Sequence, residues 1–433
     1  MSGGGGGAGV GGAVSGGGEA GGTRAGAAGT GARTALVGIG DLFTGDLAEP
    51  RRTDVRTLII DDGRIAELST SPDAPPDAAR VVDVGGMTVA AGLIDSHCHV
   101  VLGDYTPRQK TVDFLDSYVH GGITSVVSPG EIHAPGRSHE PVAVKALAVT
   151  AAHLFAGFRP GGMKVHAGTV VVEPGLGPDD FAGLRRDGVR FAKVGFGAVV
   201  DPHDYVAPVR AAQDAGLTVM AHCGGASLPG SRPILGEHLL AIRPDVCGHV
   251  NGGTTALSDD DVRCLVTDTD MALQLVQAGN LRSALVILEA AVAADQLHRV
   301  VLASDTPTGT GVMPLAVLKT IAELSSLGGL DPAVAWALAS GNNAACFGLD
   351  GQGTLAPGRC ADLVVLDAPR GCTAGPTAHD ALAYGDIPGI AGVMIDGELV
   401  VTRSRNTVQA ERQLAGPAAL SPVPSPSVTP TCC

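Results

Sequence analysis

Six residues carry side chains that can ligate or bridge metal ions, and all six fall at comparable places in apolar runs. His97 and His99 flank Cys98 near the end of GLIDSHCHV (92–100), and Lys193 lies in GVRFAKVGF (188–196). His222 falls in LTVMAHCG (217–224), His249 in DVCGHVNG (245–252) and Asp305 in RVVLASDTP (299–307). Each run reads as a β-strand with its polar residue near the C-terminal end. Residues i and i+2 of a strand point to one face, so His97 and His99 present both imidazoles to the same side. Imidazole nitrogens and carboxylate oxygens are the ligands expected for Zn²⁺ and its transition-metal neighbours, and four histidines with an aspartate exceed the needs of one ion. The set implies two divalent cations, zinc foremost, with iron or manganese as alternatives. Carbamylation of Lys193 would supply a carboxylate able to bridge them. Such a pair lowers the pKa of a shared water and polarises a carbonyl, with Asp305 placed to take a proton and return it to a leaving group.

Each residue also has a plainer reading. A lone buried histidine is more often a hydrogen-bonded core residue, and a strand lysine can snorkel to an edge. The joint placement on several strand ends favours the ligand reading. His166, on the third run, either lines the mouth or fills an interior layer. Arg108 and Lys110, after the first run, are candidates to bind a substrate carboxylate, with Arg137 a weaker one; the alternative is solvated surface charge. Asn251 either donates to the substrate carbonyl or caps a turn. Cys98 and Cys223 alternate away from their histidine neighbours and read as packing residues.

The elements that must position these groups follow a regular pattern. Eight apolar runs between 92 and 307 alternate with helical stretches, the five above joined by TSVVS (124–128), MKVHAGTVVV (163–172) and MALQLVQAG (271–279). Eight βα units in about 250 residues predict an α/β fold, a (β/α)8 TIM barrel over 91–349 with its chemistry at the C-terminal strand ends. Short strands at 34–90, with an Asp-Gly turn at Asp62 and Gly63, are matched by strands at 350–410 with a second at Asp396 and Gly397. Together these predict a small composite β-sandwich built by both terminal regions.

Residues 1–33 hold 16 of the 63 glycines and three charged residues, too little apolar surface to bury a core, and read as a disordered leader. Residues 416–433, rich in Pro and Ser, read as a flexible tail. The chain of 433 residues carries 29 Lys plus Arg against 44 Asp plus Glu, a net charge of −15, which argues against a nucleic-acid partner. It offers no secretory signal and no 18-residue apolar span, so a cytoplasmic protein without a membrane partner is expected. Nine cysteines without a CxxC pair give no disulfide framework. Homo-oligomerisation is left open.

In order, GLIDSHCHV, Lys193, HCGG, GHVNGG and SDTP resemble the metal-site pattern of the amidohydrolase superfamily over roughly residues 35–410. More narrowly, GDYTPRQKT (103–111), KVHAGTVVVEPGL (164–176), LVQAGN (275–280), SDTPTGTG (304–311), DIPGI (386–390) and SRNT (404–407) are similar to its enamidase members. The resemblance implies a hydrolase acting on a small-molecule amide, a cyclic enamide of the 6-oxo-1,4,5,6-tetrahydronicotinate type. It also implies a departure, because the bridging position that is glutamate in the enamidase pattern is Lys193 here. Two other readings stand beside it: hydrolysis of an amide or peptide bond in a secondary metabolite, and a non-catalytic assembly protein of the dihydropyrimidinase-related kind.

Overall fold

A computed structural model describes residues 33–100, 102, 111–132, 136–226, 232–253, 255–307 and 313–416. The expected leader, apart from Arg33, and the tail beyond 416 lie outside the described residues. Two sheets whose ladders are all parallel occupy the middle of the chain. One pairs Leu93–Asp95, Ile123–Val127 and Lys164–His166; the other runs Val170–Val171, Phe191–Val194, Thr218–His222, Val246–Gly248, Ala272–Val276, Val300–Ala303. A helix follows each of the eight expected runs, from Thr111–Val119 to Ala316–Ser326. Such alternation requires parallel strands, because each helix carries the chain back to the strands' starting end.

Side-chain alternation divides these strands into two faces. Ala192, Val194, Val219, Ala221 and Cys247 pack with the helices in the largest core cluster. Ile94, Val127, Phe191, Met220 and Val246 instead gather around Phe347 and Leu349. Period-two alternation therefore sets Lys193 on the face of Phe191 and His222 on the face of Met220. An isolated parallel bridge joins Cys98 to Thr306. There His99 N donates to Thr306 O at 2.8 Å and Asp305 N to His97 O at 2.9 Å, which ties the last strand to the first.

The third run departs from expectation by splitting into Lys164–His166 and Val170–Val171. Gly168 lies between them at φ +90°, where a Cβ would meet Ala148 O at 2.6 Å and Ala152 Cβ at 2.5 Å. Close approach of helix Pro141–Gly157 thus demands a bend that only glycine accommodates.

The terminal regions form two further sheets. One contains Thr34–Val37, Thr57–Asp61, Arg64–Ser69 and Arg80–Asp83; the other joins Asp41–Phe43, Arg51–Arg52 and Thr88–Ala91 to Leu363–Asp367, Gly389–Ile395 and Glu398–Val401. Both Asp-Gly pairs have positive φ, 46° and 72° at Asp62 and Gly63, 48° and 77° at Asp396 and Gly397, as tight hairpins require. One apolar cluster spans both sheets, including Leu36, Leu58 and Val82 with Leu42, Leu363 and Met394.

Lys164 connects the parallel strands to this region, its Nζ 2.5 Å from Asp362 Oδ2 and 2.7 Å from Asp396 Oδ1. Removing one partner of a buried pair leaves the other charge uncompensated, so Lys164→Met should lower the unfolding free energy by about 3–5 kcal/mol. Urea denaturation measures this; a loss below about 1 kcal/mol, the range of exposed pairs, would show that the lysine is dispensable to the junction.

Candidate metal centre

The residues at the ends of the parallel strands converge although up to 208 positions separate them in the chain (305 − 97 = 208). Asp305 Oδ1 lies 3.1 Å from His99 Nε2 and 3.4 Å from His97 Nε2. His222 Nδ1 and His249 Nε2 face each other at 3.1 Å. The ring centroids of His97 and His249 are 5.4 Å apart, which joins the two pairs into one cluster. All six residues are buried, and Lys193 is fully inaccessible.

Local backbone geometry aims these side chains. His249 and Asp305 adopt φ of +40° and +58°, a left-handed conformation uncommon for non-glycine residues and concentrated at functional sites. Gly195, at φ +105°, admits His222, because a Cβ there would lie 2.5 Å from His222 Cβ. His222 Nε2 donates to Gly225 O at 2.6 Å, leaving Nδ1 as the lone-pair nitrogen that points at His249. The Phe196 ring stands edge-on to His222 with centroids 5.0 Å apart.

The electrostatics fit a cation. Burial first, then Lys193, holds His97 well below the ordinary imidazole range, while burial and neighbouring His222 do the same to His249. Burial also drops His222 to about 4 and Lys193 to about 8. Neutral imidazoles facing a carboxylate form an electron-rich pocket suited to a metal ion, and Lys193 Nζ has no hydrogen-bond partner among the described residues. His97, His99 and Asp305 bring ligand atoms within 4.8 Å of one another. The same spacing occurs at Cys360, Asp362 and Asp396, but there the Lys164 ammonium already supplies the positive charge.

Residues 88–400 match the model of the amidohydrolase family. The chain belongs to the amidohydrolase family. It is 41% identical to an enamidase from Eubacterium barkeri over 384 residues, 88% of this chain and 98% of that protein. The crystal structure of an enamidase, described as a member of the amidohydrolase superfamily, superposes with a TM-score of 0.83, covering 89% of this chain and 100% of the other. An adenine deaminase from Deinococcus deserti is 28% identical over 323 residues, 71% of this chain and 53% of that protein. An amidohydrolase from a Sargasso Sea environmental sample, at 16% identity, shares the fold with a TM-score of 0.58, covering 86% of this chain and 93% of the other. Members of the amidohydrolase family typically depend on metal, in keeping with the ligand groups of this chain.

Among the other candidate site residues of this amidohydrolase, Asn251, His166 and Arg137 are described. Asn251, read as either a donor to the substrate carbonyl or a turn cap, has both ends of its amide engaged by backbone. Its Oδ1 accepts from Val276 N at 2.9 Å and its Nδ2 donates to Val276 O at 3.0 Å, so it clamps the end of strand Ala272–Val276. His166, read as either lining the mouth or filling an interior layer, lies 3.5 Å from the Gln352 amide nitrogen, and burial lowers its pKa to about 4. Arg137 pairs with buried Glu173 at 2.7 Å and donates to Phe196 O at 2.8 Å, holding the loop beside His222. Arg108 and Lys110 lie outside the described residues. Cys98 and Cys223 are buried in the apolar core, as packing residues should be.

Two residues at the cluster were missed from sequence. Asp95 Oδ1 accepts from His97 N at 3.1 Å and Ser304 N at 3.0 Å, and Gln274 Oε1 lies 2.7 Å from His97 Nδ1. Gln274 had a sequence signal, a lone amide inside the apolar stretch MALQLV, and Asp95 a similar one, a lone carboxylate directly after the apolar GLI.

The buried rings also set an acid response. The unfolded chain takes up protons as pH falls through about 6.5, whereas folded His166 and His222 resist protonation until about 4. The metal-free protein should therefore be most stable above pH 6.5 and lose stability between 6.5 and 4, with His222 accounting for about 3 kcal/mol. Urea midpoints across this range test the sign; His222→Asn should give a shallower slope, and an unchanged slope would mean that His222 is not buried neutral.

Proposed function

We propose that this amidohydrolase opens a cyclic enamide by hydrolysing its ring C–N bond, with 6-oxo-1,4,5,6-tetrahydronicotinate as the substrate type. The observation that carries this reading is the buried convergence of His97, His99, His222, His249 and Asp305 in a chain that aligns with 98% of an enamidase. In the proposed architecture the parallel strands form one (β/α)8 barrel over 91–349, supported by the Cys98 to Thr306 bridge. Regions 34–90 and 350–410 form a composite β-sandwich, supported by their shared apolar cluster. Zinc is the proposed metal and the cytoplasm the proposed location; no helix among the described residues is long and apolar enough to cross a membrane.

His97, His99 and Asp305 would hold one divalent ion and His222 and His249 a second. When bound, such ions supply Lewis acidity and make water acidic enough to react near neutral pH. Lys193 would join both sides after its neutral amine adds CO₂ and releases one proton, giving a carbamate. Burial brings this amine to about 8, so a substantial neutral fraction exists at mildly alkaline pH.

Asp305 is proposed to accept a proton from the attacking water and deliver it to the departing ring nitrogen. The C–O bond forms and the C–N bond breaks, leaving a carboxylate and an enamine. Tautomerisation to an imine and addition of a second water then release ammonia and leave an aldehyde. Arg108 and Lys110 are the proposed contacts for the substrate carboxylate, as planar guanidinium and flexible ammonium donors.

Protein prepared with bicarbonate and zinc should consume the enamide absorbance and release ammonia. Asp305→Asn should lower kcat by about 10²–10⁴-fold, the range of a lost general acid–base. Lys193→Glu should retain measurable turnover and Lys193→Met should lose it. No turnover by metal-loaded wild-type protein would discard this substrate and direct the search to larger amides.

A further inference from the structure

Gln274 is fully buried on strand Ala272–Val276, and its amide meets groups from two separate segments. Nε2 lies 3.2 Å from Ser96 O and 2.9 Å from Ser96 Oγ. Oε1 lies 2.7 Å from His97 Nδ1 and 3.4 Å from His249 N. Two of these neighbours have fixed roles, since a backbone carbonyl only accepts and a backbone N–H only donates. Reversing the amide would set its oxygen against Ser96 O and its NH₂ against His249 N, so the orientation is determined. Because Oε1 can only accept, His97 Nδ1 carries the ring proton, and the lone pair of the neutral ring sits on Nε2. That nitrogen faces Asp305 Oδ1 at 3.4 Å.

We propose that Gln274 is a positioning residue that locks His97 in its Nδ1–H tautomer and thereby presents Nε2 as a metal ligand. The metal half of this inference rests on the proposed function; the tautomer half does not. An acceptor on the non-ligating nitrogen fixes the ring and raises its basicity as a ligand, and loss of such a contact typically weakens metal binding 10–100-fold. The same amide holds Ser96, the residue before His97, so one side chain sets both the ring's backbone and its proton.

The test uses the full chain with Gln274→Met and Gln274→Glu. Methionine keeps similar volume without an acceptor; glutamate keeps the acceptor and gives up the donor to Ser96. Histidine-ring ¹⁵N spectra of metal-free protein, assigned through His97→Ala, should show His97 protonated at Nδ1 in wild type and in Gln274→Glu. Gln274→Met should shift it toward the Nε2–H form. In competition with a chelator, Gln274→Met should hold Zn²⁺ about 10–100-fold more weakly than wild type, and Gln274→Glu should recover most of the loss. A wild-type His97 protonated at Nε2, or equal Zn²⁺ losses in both variants with unchanged tautomer, would overturn the proposal. Wild-type protein that binds no Zn²⁺ yet shows the Nδ1–H form would defeat the metal reading and leave the tautomer assignment upheld.

Discussion

Burial of nitrogen and oxygen lone pairs in one small volume is the constraint on which this structure turns. His97, His99, His222, His249 and Asp305 are nearly removed from water, and their nitrogen and oxygen atoms meet one another there in place of solvent. Burial keeps His97, His222 and His249 neutral around neutral pH, so protonation does not relieve the arrangement. A divalent cation would be attracted by these neutral imidazoles and the carboxylate, and the low dielectric around them would strengthen the ion's hold.

Much of the surrounding architecture serves to keep these groups together. Asp95 receives N–H groups from the first and last strand ends at once, and Gln274 links Ser96 to His97 from a third strand. Asn251 fastens the turn after His249 to Val276. On the opposite side, the Arg137–Glu173 pair fixes the loop after Lys193, with Ala198 N donating to Glu173 Oε2 at 2.6 Å. Each tie joins segments distant in sequence, so the cluster forms only when the parallel strands are assembled.

The parts legible in the sequence obey short-range rules. Period two assigned His97 and His99 to one face, and the two Asp-Gly pairs announced hairpins that occur where expected. The alternation of strand and helix was visible because each unit is local. The third run misled, since the bend at Gly168 answers to a helix packed across it rather than to its own strand composition. Asn251 left two readings open, because nearness to His249 in sequence fits a shared target as well as a turn, and its amide geometry matches the Val276 backbone. Gln274 went unread because its partner lies 177 positions away, and no local periodicity encodes that meeting.

The buried cluster is proposed to hold two cations. Anomalous diffraction at the absorption edges of zinc, iron and manganese, with elemental analysis of the same dialysed protein, tests it most directly. Two ions per chain are predicted, one against His97, His99 and Asp305 and the other against His222 and His249, with Lys193 between them. Protein that takes up no ion at these residues, or a single ion at one set however much metal is supplied, would contradict the account.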